Sequence, residues 1–236
     1  MSSENIFSDF LGKLGDIQAM SSASESKDLF MKCEQFSEYF GMWIEKMKEF
    51  NIAQVPMFEL SLSEYELSLI MAASGLYKQA MESLRFSLEH SLFAVVLSTD
   101  ELKYRLWKAH EKDEIWAETT NAENGIFGSK FIKAFAPELF EYKNELQNIT
   151  RNVYRESSEY VHGNFEIMQH VPMKISYSED LYNDFVDKAD SVAYIITFAF
   201  VIRFWDQLKD TTLADLESAI MAYLDTSPEI LALYGI

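Results

Sequence analysis

Arg155 and His162 lie seven residues apart in the stretch RNVYRESSEYVHGN, residues 151–164. On an α-helix seven residues make two turns less about 20°, so the two side chains share a face, separated by about 10 Å along the axis. Ser158 or Glu159 would sit between them. A guanidinium can hold a phosphate through two parallel hydrogen bonds, and an imidazole can move protons near neutral pH. Metal-independent RNA cleavage requires those two functions: a base for the 2′-hydroxyl and a cation for the charged transition state. Arg155, Ser158 and His162 are therefore the candidate catalytic residues. A structural role also fits them. A histidine just before the helix-ending Gly163 can bond terminal carbonyls and interact favourably with the helix dipole. Arg155 can pair with Glu159 one turn on.

Other reactive side chains offer less. Glu159-x-x-His162 has the spacing of half a ferritin-like di-iron site, but no second copy is present. Glu166 and His170 stand four apart in a segment that reads as extended, and Glu89-His90 and His110 have no partner at a telling spacing. Cys33 is the only cysteine, which excludes an intrachain disulfide and a thiolate zinc site. Gly125-Ile-Phe-Gly128 has the spacing of a KH-type loop, but its apolar middle and the absence of a surrounding βααβ pattern make it a turn. No glycine-rich loop precedes a helix, so neither cofactor nor metal is expected.

Long helices must position these residues. Of 236 residues only eight are Gly and four Pro, while 48% are hydrophobic and 14% aromatic. That composition favours helices around a large core over a turn-rich sandwich or barrel. Apolar residues recur at helical spacing from Phe30 to Met47 and from Met81 to Leu92. Between them, Ser61 and Glu64 form a capping-box signature, with Leu67, Ile70 and Met71 expected on the buried face. A short helix around Ile6–Leu14 and a flexible link over Ser21–Ser26 are expected at the start. The polar cluster from Thr119 to Ser129 reads as a loop. A helix over Lys130–Phe135 follows, then one that starts at Pro137, carries residues 151–162 and ends at Gly163. Val171, Met173, Ile175 and Tyr177 alternate with Pro172, Lys174 and Ser176, a period of two that predicts a short extended segment. A long helix from about Asp180 to Leu208 comes next, apolar nearly all the way round, so that at least two layers must cover it, with part of that cover expected from another subunit. Thr212 and Ser227-Pro228 signal two short final helices.

The 20 Lys+Arg against 38 Asp+Glu give a formal charge of −18. Such a chain repels polyanions at long range, and its five arginines are scattered, which argues against broad nucleic-acid binding. The apolar run Val192–Ile202 is about half the ~20 residues a membrane span needs. The acidic N-terminus lacks the basic and apolar regions of a signal peptide. A soluble, cytoplasmic protein without membrane contact is expected.

The pair Arg155-x6-His162 resembles the signature of HEPN domains, an arginine and a histidine with four to six residues between them. The wider pattern is similar to uncharacterised bacterial helical proteins of that superfamily. It comprises Leu84-Arg85-x-x-Leu88-Glu89 and, about 70 residues later, Tyr154…Ser158-Glu159-Tyr160-Val161-His162-Gly163. The likeness covers roughly residues 65–205. It implies an all-α, antiparallel HEPN-like bundle of the kind found in bacterial toxins, antiphage defence and RNA processing. Many such modules are metal-independent endoribonucleases that pair two motifs across a dimer. Glu156 stands directly after the arginine, where HEPN nucleases usually carry Asn, Asp or His, and with Glu159 it puts two negative charges beside the phosphate-binding residue.

The resulting expectation is an N-terminal helical extension (1–60), a HEPN-like helical core (61–210) and C-terminal helices packed on it (211–236), with one short extended or β segment near 166–177. The expected function is an acidic, non-catalytic interaction subunit of an antiphage-defence or toxin–antitoxin system, with a protein partner or a homodimer. The alternative is a dimeric endoribonuclease using Arg155 and His162, with RNA as substrate.

Overall fold

The computed structural model describes residues 3–113, 115–162, 165, 171–172, 174–209 and 214–236. It is all-α, about 80% helical, with no strand among the described residues. The helices are α1 (Ser3–Ser22), α2 (Lys27–Glu49), α3 (Val55–Ala73), α4 (Tyr77–Leu97), α5 (Glu101–Lys108), α6 (Trp116–Thr119) and α7 (Ser129–Phe135). After a 3₁₀ turn over Pro137–Tyr142 come α8 (Lys143–His162), α9 (Glu179–Arg203), α10 (Trp205–Lys209), α11 (Glu217–Leu224) and α12 (Pro228–Tyr234).

The central element is α9. Its residues from Val192 to Ile202 are almost all inaccessible to solvent, as a helix apolar on every side requires. Phe200 is wedged between Phe40, Trp43 and Phe58, with ring centroids 5.3–5.4 Å away. Burying each of these large apolar side chains contributes ~1.5–3 kcal/mol. Contacts at both ends fix the directions. The Ser178 N–H donates to Tyr77 Oη at 2.9 Å and Arg203 Nε donates to Ser98 Oγ at 2.8 Å, so α4 runs alongside α9 in the same sense. Tyr194 donates to Glu145 and Tyr160 to Asp184, so α8 runs antiparallel to α9. One continuous cluster of buried side chains runs from Cys33 on α2 to Ile230 on α12.

Several expectations are corrected. The apolar circumference of α9 is covered within one chain and needs no second subunit. Ser61 does not cap a helix: α3 begins at Val55 with Pro56 in its first turn, and the buried Ser61 hydroxyl donates back to the Met57 carbonyl at 2.9 Å. The buried face of α3 is therefore Phe58, Tyr65, Leu69 and Ala72, while Leu67 and Ile70 are exposed. The link over Ser21–Ser26 is pinned. Ser21 donates to the Ala73 carbonyl, and Ser24 and Ser26 bond Glu179 and Asn183 on α9.

The expected extended segment forms no strand among its described residues, 171–172 and 174–177. A strand needs a partner edge, and an all-helical chain offers none. Instead the Ser176 carbonyl lies against Gly75, where a Cβ would meet it at 2.9 Å; the φ of +76° there also demands glycine. The expected helix end at Gly163, the pair Glu166 and His170, the remainder of the extended segment and the Thr212 signal lie outside the described residues.

Candidate functional site

The site is built on α8, whose sequence sorts into three faces. Leu146, Thr150, Val153, Ser157 and Tyr160 recur every three or four residues and are buried against the bundle. Arg151, Arg155, Ser158 and His162 fall within about 60° of one another and form a second stripe. Glu145, Asn152 and Glu156 form a third, about 100° round the helix, facing α9.

The structure brings Arg155, Ser158 and His162 into one stripe on an unbroken helix, as the spacing predicts. It does not enclose them. Arg155 and His162 are exposed, Ser158 is half-buried, and none of the three lines a cavity described here. The Ser158 hydroxyl donates to the Tyr154 carbonyl at 2.6 Å, so its proton is engaged on its own helix. The Arg155 guanidinium lies 3.6 Å from the Glu156 carboxylate rather than pairing with Glu159. His162 is in the last described turn of α8.

Behind the stripe, the two segments that carry the family resemblance meet. Arg85 donates from Nε and Nη2 to Glu89 Oε1 at 3.0 and 2.9 Å, and from Nη2 to Tyr154 Oη at 3.0 Å. Its guanidinium lies 4.5 Å from the Tyr154 ring centroid, and the ring's other neighbour, Trp116, stacks on it at 4.2 Å. This clamp fixes how far α8 turns about its axis relative to α4, and so where Arg155 and His162 point. The i,i+4 spacing of Arg85 and Glu89 was visible in the sequence. Trp116 gave no signal, because it sits on a single-turn helix. Beside it, Arg151 borders a cleft of only about 50 Å³, room for water and too small for a nucleobase.

On the opposite side of α8 lies an open groove of about 550 Å³ against α9. Four carboxylates line it: Glu145, Glu156, Asp184 and Asp187. Among the described residues the one cation in its lining is Lys188, whose side chain is only 10% exposed. Lys188 is engaged by Asp184 and, at 3.3 Å, by Glu156. Tyr160 donates to Asp184 at 3.0 Å; burial first, and then that carboxylate, push its phenol well above the usual range. Glu156 thus faces Arg155 on one side and Lys188 on the other. Sequence reasoning missed this groove, although the four-residue spacing of Asp184 and Lys188 was a legible ion-pair signal.

Among the described residues no cluster of three or more His, Cys, Asp or Glu is arranged to hold a metal. Among the same residues, no helix is long and apolar enough to cross a membrane. Comparison with protein-family models, with curated proteins and with solved structures finds no match for this chain.

Proposed function

We propose that the chain is an acidic, non-catalytic, HEPN-like interaction subunit that receives a basic segment of a protein partner in the groove between α8 and α9. The observation that carries this reading is the charge of that groove: four carboxylates line it, and its single lysine is already engaged by two of them. Such a lining attracts cationic side chains and repels phosphate, in a chain of net charge −18. The placement of Glu156 works in the same direction, because it sets a carboxylate 3.6 Å from the guanidinium a phosphate would need. A bacterial defence or toxin–antitoxin setting rests on the family resemblance alone.

Titrating the protein with a short arginine-rich peptide tests the groove. Replacing Glu145 and Asp187 by Gln and Asn should weaken binding by at least about tenfold. Replacing the exposed Asp9 and Asp16 of α1 by Asn removes the same charge elsewhere and should leave binding intact. Equal weakening by both pairs would mean diffuse attraction to an acidic surface and would reject the groove.

The second reading, a metal-independent endoribonuclease, is favoured by the exposure of Arg155 and His162 on one stripe of α8. In that reading Arg155 would hold the phosphate, His162 would act as general acid–base, and a second copy would complete the site.

A further inference from the structure

A cavity of about 330 Å³ opens between the end of α4, α5, α6 and the loop that follows, on a different part of the molecule from the α8–α9 groove. Its walls are Phe93, Val96, Leu97, Trp107 and Ile115. The Trp107 ring stands edge-on to Phe93 and stacks on Tyr104, so the aromatic wall is held from two sides. A volume of this size, mostly apolar with a few polar groups converging at its mouth, is that of a small-molecule site.

The far wall is rigid. The segment from Thr119 to Lys130 is closed by its own backbone: the Ile126 N–H donates to the Thr119 carbonyl at 2.9 Å, Gly125 to Asn121 at 2.9 Å, and Lys130 to Glu123 at 2.9 Å. Gln147 of α8 ties it down through the Phe127 carbonyl at 2.8 Å. Ile126 and Phe127, the apolar middle of the Gly-x-x-Gly stretch, are buried and anchor the turn. That wall is therefore preformed, which lowers the ordering cost of binding.

Among the described residues the charges at the mouth are two lysines and two acids, Lys103, Lys112, Asp113 and Glu118. They are not equivalent. Both lysines are half-buried, and both acids are exposed and keep their water. Lys112 bonds Glu118 at 2.9 Å, and with Lys103 behind it holds that carboxyl below its ordinary range. Lys103 is the loosely held one, its ammonium 3.9 Å from Asp100. An anionic group entering the cavity finds Lys103 in its lining with an only loosely paired ammonium.

We propose that this cavity binds a small, planar aromatic molecule bearing one anionic group, with its rings against Phe93 and Trp107 and the anion on Lys103. The probe that tests it is anilinonaphthalene sulfonate, with N-phenylnaphthylamine as the same ring system without the charge. The native protein should bind the sulfonate at a single site, followed by quenching of tryptophan emission, and the neutral amine at least about tenfold more weakly. Ala117 lines the cavity and is otherwise exposed, so Ala117→Trp should fill the space and abolish binding with an unchanged melting temperature. Lys103→Glu should weaken the sulfonate by about tenfold and leave the amine unaffected. Three results would each overturn the assignment: no binding by the native protein, equal affinity for charged and neutral probes, or undiminished binding by a folded Ala117→Trp.

Discussion

At the scale of single residues, two arginines on facing helices have opposite duties. Arg155 is 65% exposed and its closest ion pair is with a neighbour on its own helix, so little of the fold depends on it. His162 is also exposed. Arg155→Ala and His162→Ala should each change unfolding free energy by no more than about 0.5 kcal/mol in urea titrations. Arg85 is 16% exposed, bonded to Glu89 and Tyr154 and stacked on the Tyr154 ring. Arg85→Ala should cost about 1–3 kcal/mol in the same measurement, and Arg85→Lys should restore only part of it, because an ammonium cannot both stack and fork. Had the sequence alone set the ranking, Arg155 would have stood first on motif grounds. What the motif could not convey is which arginine the packing encloses, since that depends on α6 delivering Trp116 to the other side of Tyr154.

His90 adds a pH dependence. It stacks on Phe86 at 3.9 Å, and burial lowers its pKa below the usual histidine value. A group whose folded pKa is lowered contributes stability in full above its unfolded pKa, near 6.5, and loses it as pH falls toward the folded value. Thermal midpoints of the native protein should therefore drop between about pH 7 and pH 5.5 by more than those of His90→Phe, which has no proton to gain. Equal drops in the two proteins would place the pH sensitivity elsewhere.

At the scale of elements, glycines separate the parts of the chain that are tightly fitted from those that are not. Gly41 lies inside α2, and a Cβ there would meet nothing within 4 Å. Gly41→Ala should raise stability by about 0.5–1 kcal/mol. Gly125 sits in the turn that walls the cavity, where a Cβ would lie 2.4 Å from the Asn121 nitrogen and 2.5 Å from the Thr119 oxygen. Both are backbone atoms and cannot swing aside, so Gly125→Ala should cost about 3 kcal/mol, and differential scanning calorimetry would show both shifts. The sequence marked this loop by its polar cluster, and it marked α8 and α9 by their apolar periodicity. It mistook Ser61 for a cap because the capping box is a four-residue pattern, whereas Pro56 five residues earlier had already started the helix. The short extended segment expected near 166–177 forms no strand at its described residues, 171–172 and 174–177, because a period of two is a local signal and a strand also needs a neighbour.

At the scale of the whole molecule, the all-α architecture was legible because few glycines and prolines, long apolar periods and one fully apolar helix leave few alternatives. The functional surface was not. The acidic groove is assembled from α8 and α9, about 40 residues apart in sequence, and only their antiparallel packing puts Glu145, Glu156, Asp184 and Asp187 along one groove. Net charge of −18 was known from composition, but its concentration beside the Arg155–His162 stripe follows from the fold. On the proposed reading, that concentration disfavours a phosphate beside Arg155, whose guanidinium lies 3.6 Å from the Glu156 carboxylate.

The most direct measurement incubates the purified protein with a mixed RNA pool in EDTA, beside His162→Ala. An interaction subunit should leave the RNA intact over hours, with the native protein and the variant indistinguishable from buffer. Cleavage by the native protein that disappears in a folded His162→Ala variant would contradict the non-catalytic reading and make Arg155 and His162 the active site of a metal-independent endoribonuclease.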